Sequence, residues 1–484
     1  MKTSNQIRFK ALNIKNLTFL MISFVILQGC SLDENPKTFI SPDAYFNSYE
    51  SYEAAVMGIY SNLGTFSNGD GTMITEMFSD IYREPDASYE QALPTYQNDR
   101  RPIFYNTRRY WSAGYSMIKN ANFVLSKTPD EPQYATLIAE ARFLRAFAYF
   151  QLVQVYGDIP LRKVPIESYD DIQIQKSNQE SVYEFILEDL TYAENNLNDD
   201  PLQQGRVYKS VATSLLAKVY LTMAGNPINK TEYFAQARDK AISVINSGRF
   251  SLMDDYASVF HNMVYTKESI WEEVYDPQKG GNAIAGLTIT AAGFKPILLP
   301  AEWFIKSFTE GDQRNEWGIS ENYTTPSGKV LASYFQKFVD NAIIDNDLAP
   351  GSVISNYTKP HLRLAEMYLI AAEAENEING PSQAYQYINK IRWRARTDKS
   401  NPALVPDLEG LTKEEFREAL YLERKKELYL EGSTWFDLKR TNTMDKIQQM
   451  RPESLVNPIG IYNQTWPIPD EELISNKIEQ NPMP

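Results

Sequence analysis

The sequence predicts a mainly α-helical fold: a tetratricopeptide-like helical-repeat scaffold of about four helix pairs, with large loop-rich insertions that carry short strands. Two observations lead there. Three segments, 139–153, 211–221 and 362–372, each place Ala-x-x-Tyr inside an apolar helical stripe, at Ala146/Tyr149, Ala217/Tyr220 and Ala365/Tyr368. A small residue lets two helices approach closely, and a ring fills the next gap. Each segment is then followed by a turn and a second amphipathic helix, near Glu180–Leu197, Tyr233–Ser247 and Ser382–Arg396.

Taken in order, the chain opens with Lys2, Arg8, Lys10 and Lys15, then an apolar run of 11 residues from Leu17 to Leu27, then Gly29 and the single cysteine, Cys30. This is the layout of a secretory signal, and the run is shorter than the roughly 20 residues that span a bilayer. Residues 1–29 are expected to be a cleaved signal peptide, leaving a chain 30–484 whose Cys30 accepts lipid. The other reading is a plain signal peptide with a chance cysteine. A weaker first pair is expected at 44–63 and 110–126.

Two regions break the helical pattern. Residues 68–109 form one irregular insertion. Residues 250–359 form the other, with strand-like runs at Ser269–Tyr275 and Gly286–Thr290 and punctuation at Gly280-Gly281, Pro296, Pro300, Pro326 and Pro350. Loops on a rigid scaffold are where function concentrates. In the C-terminal third, Thr412-Lys-Glu-Glu415 reads as a capping box, opening a helix expected to run to Glu431 and stop at Gly432.

Composition narrows the chemistry. A formal charge of −14 and a pI near 4.9 argue against a nucleic-acid backbone as partner. With only His261 and His361 and one cysteine, a His/Cys zinc site is not expected. Asp345-Asn-Asp347 lacks the Gly and distal Glu of a calcium loop, which leaves a structural Ca²⁺ elsewhere open; no cofactor is expected. The 31 tyrosines suit a core and equally suit sugar or peptide surfaces. No Gly-x-Ser-x-Gly elbow, P-loop or dinucleotide glycine pattern occurs. The best acidic cluster is Glu423, Glu427 and Glu431, four residues apart on one expected helix face. It reads as an ion-pair network with Arg424, Lys425, Lys426 and Arg440 rather than as an acid/base pair. Asp312-Gln-Arg314 and Asp158 after Gly157 read as turn and cap groups.

Several of these residues carry a resemblance. Ala139-Glu-Ala-Arg-Phe-Leu-Arg-Ala-Phe-Ala-Tyr-Phe-Gln-Leu-Val-Gln-Val-Tyr-Gly-Asp-Ile-Pro-Leu161, Asn389-Lys-Ile-Arg392 with Arg394-Ala395, Glu423-Arg-Lys-Lys-Glu-Leu-Tyr-Leu-Glu-Gly432 with Trp435-Phe-Asp-Leu-Lys-Arg440, and Trp466-Pro-Ile-Pro469 with Gln480-Asn-Pro482 resemble the SusD/RagB family of Bacteroidetes nutrient-binding lipoproteins. Leu27-Gln-Gly-Cys30 resembles a lipobox, and Asp33-Glu34 behind it resembles that phylum's surface-export signal. Gln28, Ser433-Thr434 and Met483-Pro484 depart from the family pattern. The resemblance implies a helical cap on a SusC-like TonB-dependent transporter, lipid-anchored in the outer membrane and facing the cell exterior. It implies a glycan ligand, with a RagB-like peptide binder as the alternative and no enzymatic activity; a secreted hydrolase on a helical scaffold is the remaining alternative. It also implies that the first insertion contributes ligand contacts. Tyr82, Tyr89, Tyr96, Asn98, Asp99 and Arg100 are the expected residues there, with Trp317 and Tyr323 from the second insertion; the competing reading for each is ordinary loop packing.

Overall fold

A computed structural model of the chain describes residues 42–83, 104–261, 263–276, 278, 281–289, 296–321, 323–328, 330, 333–340, 355, 357–450, 460 and 464–482. The chain divides between Asn47 and Ser48. Of the first unit, the described part holds one short helix, Pro42–Tyr45. Cys30 lies outside the described residues.

The second unit is a stack of helices. In chain order these are α1 (Tyr49–Ile59), α2 (Phe104–Lys127), α3 (Ala135–Tyr156), α4 (Gln179–Asn196), α5 (Lys209–Ala224), α6 (Tyr233–Asn246), α7 (Leu364–Asn379) and α8 (Pro381–Ala395). Each packs on the next, including α6 on α7, although residues 247–363 separate those two in sequence. The helical stack is therefore continuous, and the second insertion loops out of it. The expected second helices are met to within one residue at either end. The weaker first pair is present too, as α1 with α2.

Packing explains the repeated small residues. Ala146, Ala217 and Ala365 are fully buried. Gly114 in α2 does the same work more stringently: a Cβ there would lie 2.7 Å from Leu152 Cδ1 on α3. Two capping boxes start helices, Ser48 with Ser51 at α1 and Thr412 with Glu415 at α9 (Lys413–Leu428). In the second, the Glu415 N–H donates to Thr412 Oγ1 at 3.2 Å and the Thr412 N–H donates to Glu415 Oε2 at 2.9 Å. A further helix, α10 (Thr434–Arg440), follows.

The strands form two-stranded antiparallel ladders: β1 (Tyr82–Arg83) with β5 (Leu299–Pro300), β2 (Ile159–Pro160) with β3 (Lys176–Ser177), β4 (Ser269–Glu273) with β8 (Lys359–Arg363), and β6 (Ile319–Ser320) with β7 (Tyr334–Phe335). β4 and β8 pair near the two ends of the second insertion and so close it at its base. Trp271 on β4 fastens that base to the helices: its indole N–H donates to Gly205 O at 3.1 Å, and its ring meets Phe147 edge-on at 5.1 Å. The insertion has a core of its own, in which Tyr82, Tyr256, Phe260, Phe304, Phe335, Phe338 and Tyr429 pack together.

Three expectations are corrected. Residues 68–109 are not irregular throughout: Gly69–Glu76 form a buried helix, and α2 already begins at Phe104. The described residues of the run Gly286–Thr290, up to Ile289, do not form a strand; residues Ala285–Thr288 make a helical turn. Helix α9 ends at Leu428, not at Glu431. Leu430 adopts φ 63°, and Tyr429 and Leu430 turn into the insertion core. Burying those two side chains outweighs another helical turn.

Candidate functional site: an aromatic cluster on a buried ion network

The site begins at the end of α9. Five carboxylates, Glu268, Asp312, Glu423, Glu427 and Glu431, meet five cations, Arg314, Lys337, Arg363, Arg392 and Arg394. Arg314 spans Asp312 Oδ2 at 2.7 Å and Glu423 Oε1 at 2.6 Å. Arg363 reaches Glu427 Oε1 at 2.6 Å, Glu268 Oε1 at 2.9 Å and Glu431 Oε2 at 2.7 Å. Arg392 holds the other Glu423 oxygen at 2.5 Å, and Arg394 bridges Glu268 and Glu427.

The acidic cluster is thus the ion-pair network expected, with the partners corrected. The neighbours in sequence mostly face elsewhere: Arg424 binds Asp437, Lys425 binds Asp80 and Arg440 binds Glu373. The cations come instead from β8, α8 and the second insertion. The network therefore locks the insertion to the helical stack, since breaking any pair strands a buried charge.

Burial pushes the Glu423 carboxyl up, but Arg314, Arg392 and Lys426 outweigh it and hold it at about 2. Glu427 is likewise held well below the carboxylate range, burial being outweighed by Arg394, Arg363 and Arg314. A glycosidase acid must keep its proton near neutral pH. Both carboxylates are instead buried and paired to arginines, the arrangement of a structural ion network.

Above the network lies a ring cluster. Trp317 stacks on Phe260, with centroids 6.3 Å apart and planes 7° apart, and meets His261 edge-on at 4.6 Å. His261 in turn stacks on Tyr357 at 3.5 Å. Lys337 Nζ lies 4.3 Å from the Phe260 centroid and 4.5 Å from that of Tyr429, and the Lys337 carbonyl is 2.9 Å from His261 Nε2. Burial lowers the His261 imidazole to about 4, against the opposing hydrogen bond to Lys337 O. At neutral pH the ring is uncharged, and it acts as an aromatic surface rather than a cation.

Tyr323 packs on a second cluster of Ala285, Ile289, Leu299, Tyr334 and Val339. The described chain leaves that cluster in three places. Arg83 pairs with Leu299 and leads into residues 84–103. Ile289 leads into 290–295, and Val339 leads through Asp340 into 341–354.

Of the expected ligand residues, Trp317 and Tyr323 are half-buried on these two adjoining clusters. Tyr82 is a correction: it is 2% exposed, its hydroxyl donates to Glu76 Oε2 at 2.8 Å and accepts from the Leu430 N–H at 3.2 Å, and no face of its ring is left for a ligand. Tyr89, Tyr96, Asn98, Asp99 and Arg100 lie outside the described residues. His261, Tyr357 and Lys337 were not anticipated, because no local pattern links residues so far apart in sequence. Asp312 caps the short helix Gln313–Glu316 and Asp158 accepts from the Gln179 N–H at 3.0 Å, both as turn and cap groups.

The fold is a scaffold of stacked helix pairs with an aromatic cluster packed on a buried ion network. The SusD family model matches residues 189–483, and a second model, described as starch-binding associating with outer membrane, matches 34–221. The chain belongs to the SusD family. It is 28% identical to SusD-like protein P2 of Formosa agariphila over 96% of this chain and 99% of that one. It is 26% identical to the starch-binding protein SusD of Bacteroides thetaiotaomicron over 76% of each. A SusD superfamily structure from Parabacteroides distasonis superposes with TM-score 0.77 at 24% identity, covering 90% of this chain and 99% of that one, a likeness of fold.

Proposed function

We propose that this protein is a cell-surface lipoprotein that binds glycans and passes them to a SusC-like TonB-dependent transporter in the outer membrane. The carrying observation is the half-buried Trp317, stacked on Phe260 and set edge-on to His261 within the second insertion. A half-buried ring held rigid by its neighbours offers an apolar face to a sugar at little entropic cost. Family membership, the starch-binding relative and the family's outer-membrane association support the ligand class and the location. The segment ending at Cys30 supports the lipid anchor, which would hold the protein over the transporter on the outer face of the membrane.

The direct test is a titration of the purified protein against panels of neutral oligosaccharides and of peptides. Saturable binding of a glycan, weakened by Trp317→Ala, is the expected result. Binding confined to peptides overturns the glycan reading. Separately, Cys30→Ala is expected to preserve binding in solution while abolishing surface retention and uptake; normal uptake in that variant refutes the tethered cap.

A further inference from the structure

A cavity of about 410 Å³ opens between the ends of α3, α5 and α10, the start of α4 and the C-terminal tail. It shares no lining residue with the ring cluster around Trp317, and its size falls within the range of small-ligand sites. Tyr183 and Phe436 supply apolar wall, and Gln179 and Asn226 supply polar groups. Among the described residues, neither the Gln179 side-chain amide nor the Asn226 side-chain carbonyl has a protein partner.

Lys439 is the unusual member of the lining. Its ammonium donates to the carbonyls of Gln154 and Gln464 and lies 3.8 Å from the Trp435 ring centroid. Among the described residues no carboxylate pairs with it. The other lysines that burial weakens most all have one: Lys337 has Glu431, Lys426 has Glu423 and Lys359 has Glu76. Burial pushes Lys439 down to about 7, and no anion acts to hold it up. A sequestered cation without a counter-ion is costly, and here it borders an open cavity.

We propose that this cavity is a second ligand site that takes a uronic acid residue of a glycan. Its carboxylate would pair with Lys439, its hydroxyls with Gln179 and Asn226, and its ring face with Tyr183 and Phe436. The Lys439 cation, the Gln179 and Asn226 amides and the Tyr183 and Phe436 walls match a ring that bears one carboxylate and several hydroxyls. Lys176 and Arg440 also line the cavity, against the single carboxylate of Asp158. The inference rests on the glycan reading for the class of ligand only, not for the place where neutral glycans bind.

The test is calorimetric titration of the purified lipoprotein with galacturonate and glucuronate, free and as disaccharides, against galactose, glucose and N-acetylglutamate. A uronate is expected to bind at least about tenfold more tightly than its neutral sugar, the worth of one charge-assisted hydrogen bond. Lys439→Gln is expected to remove that preference. Gln179→Trp, on a half-buried position at the wall, fills the cavity and is expected to abolish uronate binding, and it serves as the deciding variant if Lys439→Gln does not fold. No uronate binding to the unmodified protein, equal binding of neutral sugar or N-acetylglutamate, or uronate binding unaffected by Gln179→Trp each overturns the proposal. The neutral-glycan titration of the loop face can fail while this one succeeds, so the two readings are separable.

Discussion

Arg363, the last residue of β8, places Nη1 2.6 Å from Glu427 Oε1 on α9, with both side chains closed to solvent. The same Arg363 nitrogen is 2.9 Å from Glu268, just before β4. One guanidinium thus ties together both ends of the second insertion and the helix beneath it. The position of the second insertion, and of the proposed ligand face on it, relative to the helical stack depends on this tie. Buried ion pairs are weak sources of net stability but heavy penalties when half removed.

Glu427→Ala should therefore destabilise the protein by about 3–5 kcal/mol, because it leaves Arg363, Arg394 and Arg314 short of a counter-charge. Urea unfolding followed by circular dichroism measures it. A loss below about 1 kcal/mol would mean that water or rearrangement neutralises those cations.

This network and the separate cluster of Asp437 with Arg424 and Arg440 together set the acid limit. Glu423 and Asp437 are each held at about 2, below their ordinary values, with burial opposing and arginines prevailing. A carboxylate whose folded value is depressed contributes stability that is fully present above its ordinary value near 4.5 and disappears as pH falls towards 2. The urea midpoint should hold level from neutrality to about pH 5 on this account and then fall. Glu423→Gln should lower the midpoint at pH 7 and flatten the fall below pH 4.5; an unchanged acid slope would assign the transition to other groups.

Gly114→Ala tests the repeat packing. The added Cβ would lie 2.7 Å from Leu152 Cδ1 and Cγ, inside fully buried surroundings. Overpacking costs about 1–3 kcal/mol, while replacing Gly by Ala in a helix returns about 1 kcal/mol. A net loss near 1 kcal/mol is expected. Gly114→Ala combined with Leu152→Ala should cost less than the sum of the two single changes, a coupling that a double-mutant cycle reads directly.

These residues also show what a sequence can and cannot disclose. The helix pairs were legible because the 3.6-residue period and the Ala-x-x-Tyr spacing are local signals, and Thr412 with Glu415 marked the start of α9 for the same reason. The end of α9 was not legible. It is decided by Tyr429 and Leu430 entering a core assembled from residues 81 to 357, and no window around Gly432 contains that core. Glu423 and Glu427 are recognisable as needing cations, but residues one or two positions along a helix face other directions. The true partners, Arg314, Arg363, Arg392 and Arg394, arrive through tertiary contacts. Trp317, named by its place in the second insertion, keeps a half-buried ring, whereas Tyr82, named by its place in the first insertion, belongs to the core.

That contrast between Tyr82 and Trp317 gives the sharpest test of where the ligand lies. Tyr82→Phe removes a buried hydroxyl that donates to Glu76 and accepts from the Leu430 N–H, leaving both without that partner. It should cost about 1–3 kcal/mol in stability, with glycan affinity unchanged under conditions where the variant stays folded. Trp317→Ala removes a half-buried ring from the edge of the same core. It should also lose stability, but its glycan affinity should fall by about tenfold or more, the scale of one stacking face. Trp317→Phe should recover part of both. Isothermal titration at matched folded fractions separates the outcomes. If Tyr82→Phe weakens the ligand as strongly as Trp317→Ala, the core and the ligand face are not distinct and the loop-root site is wrong.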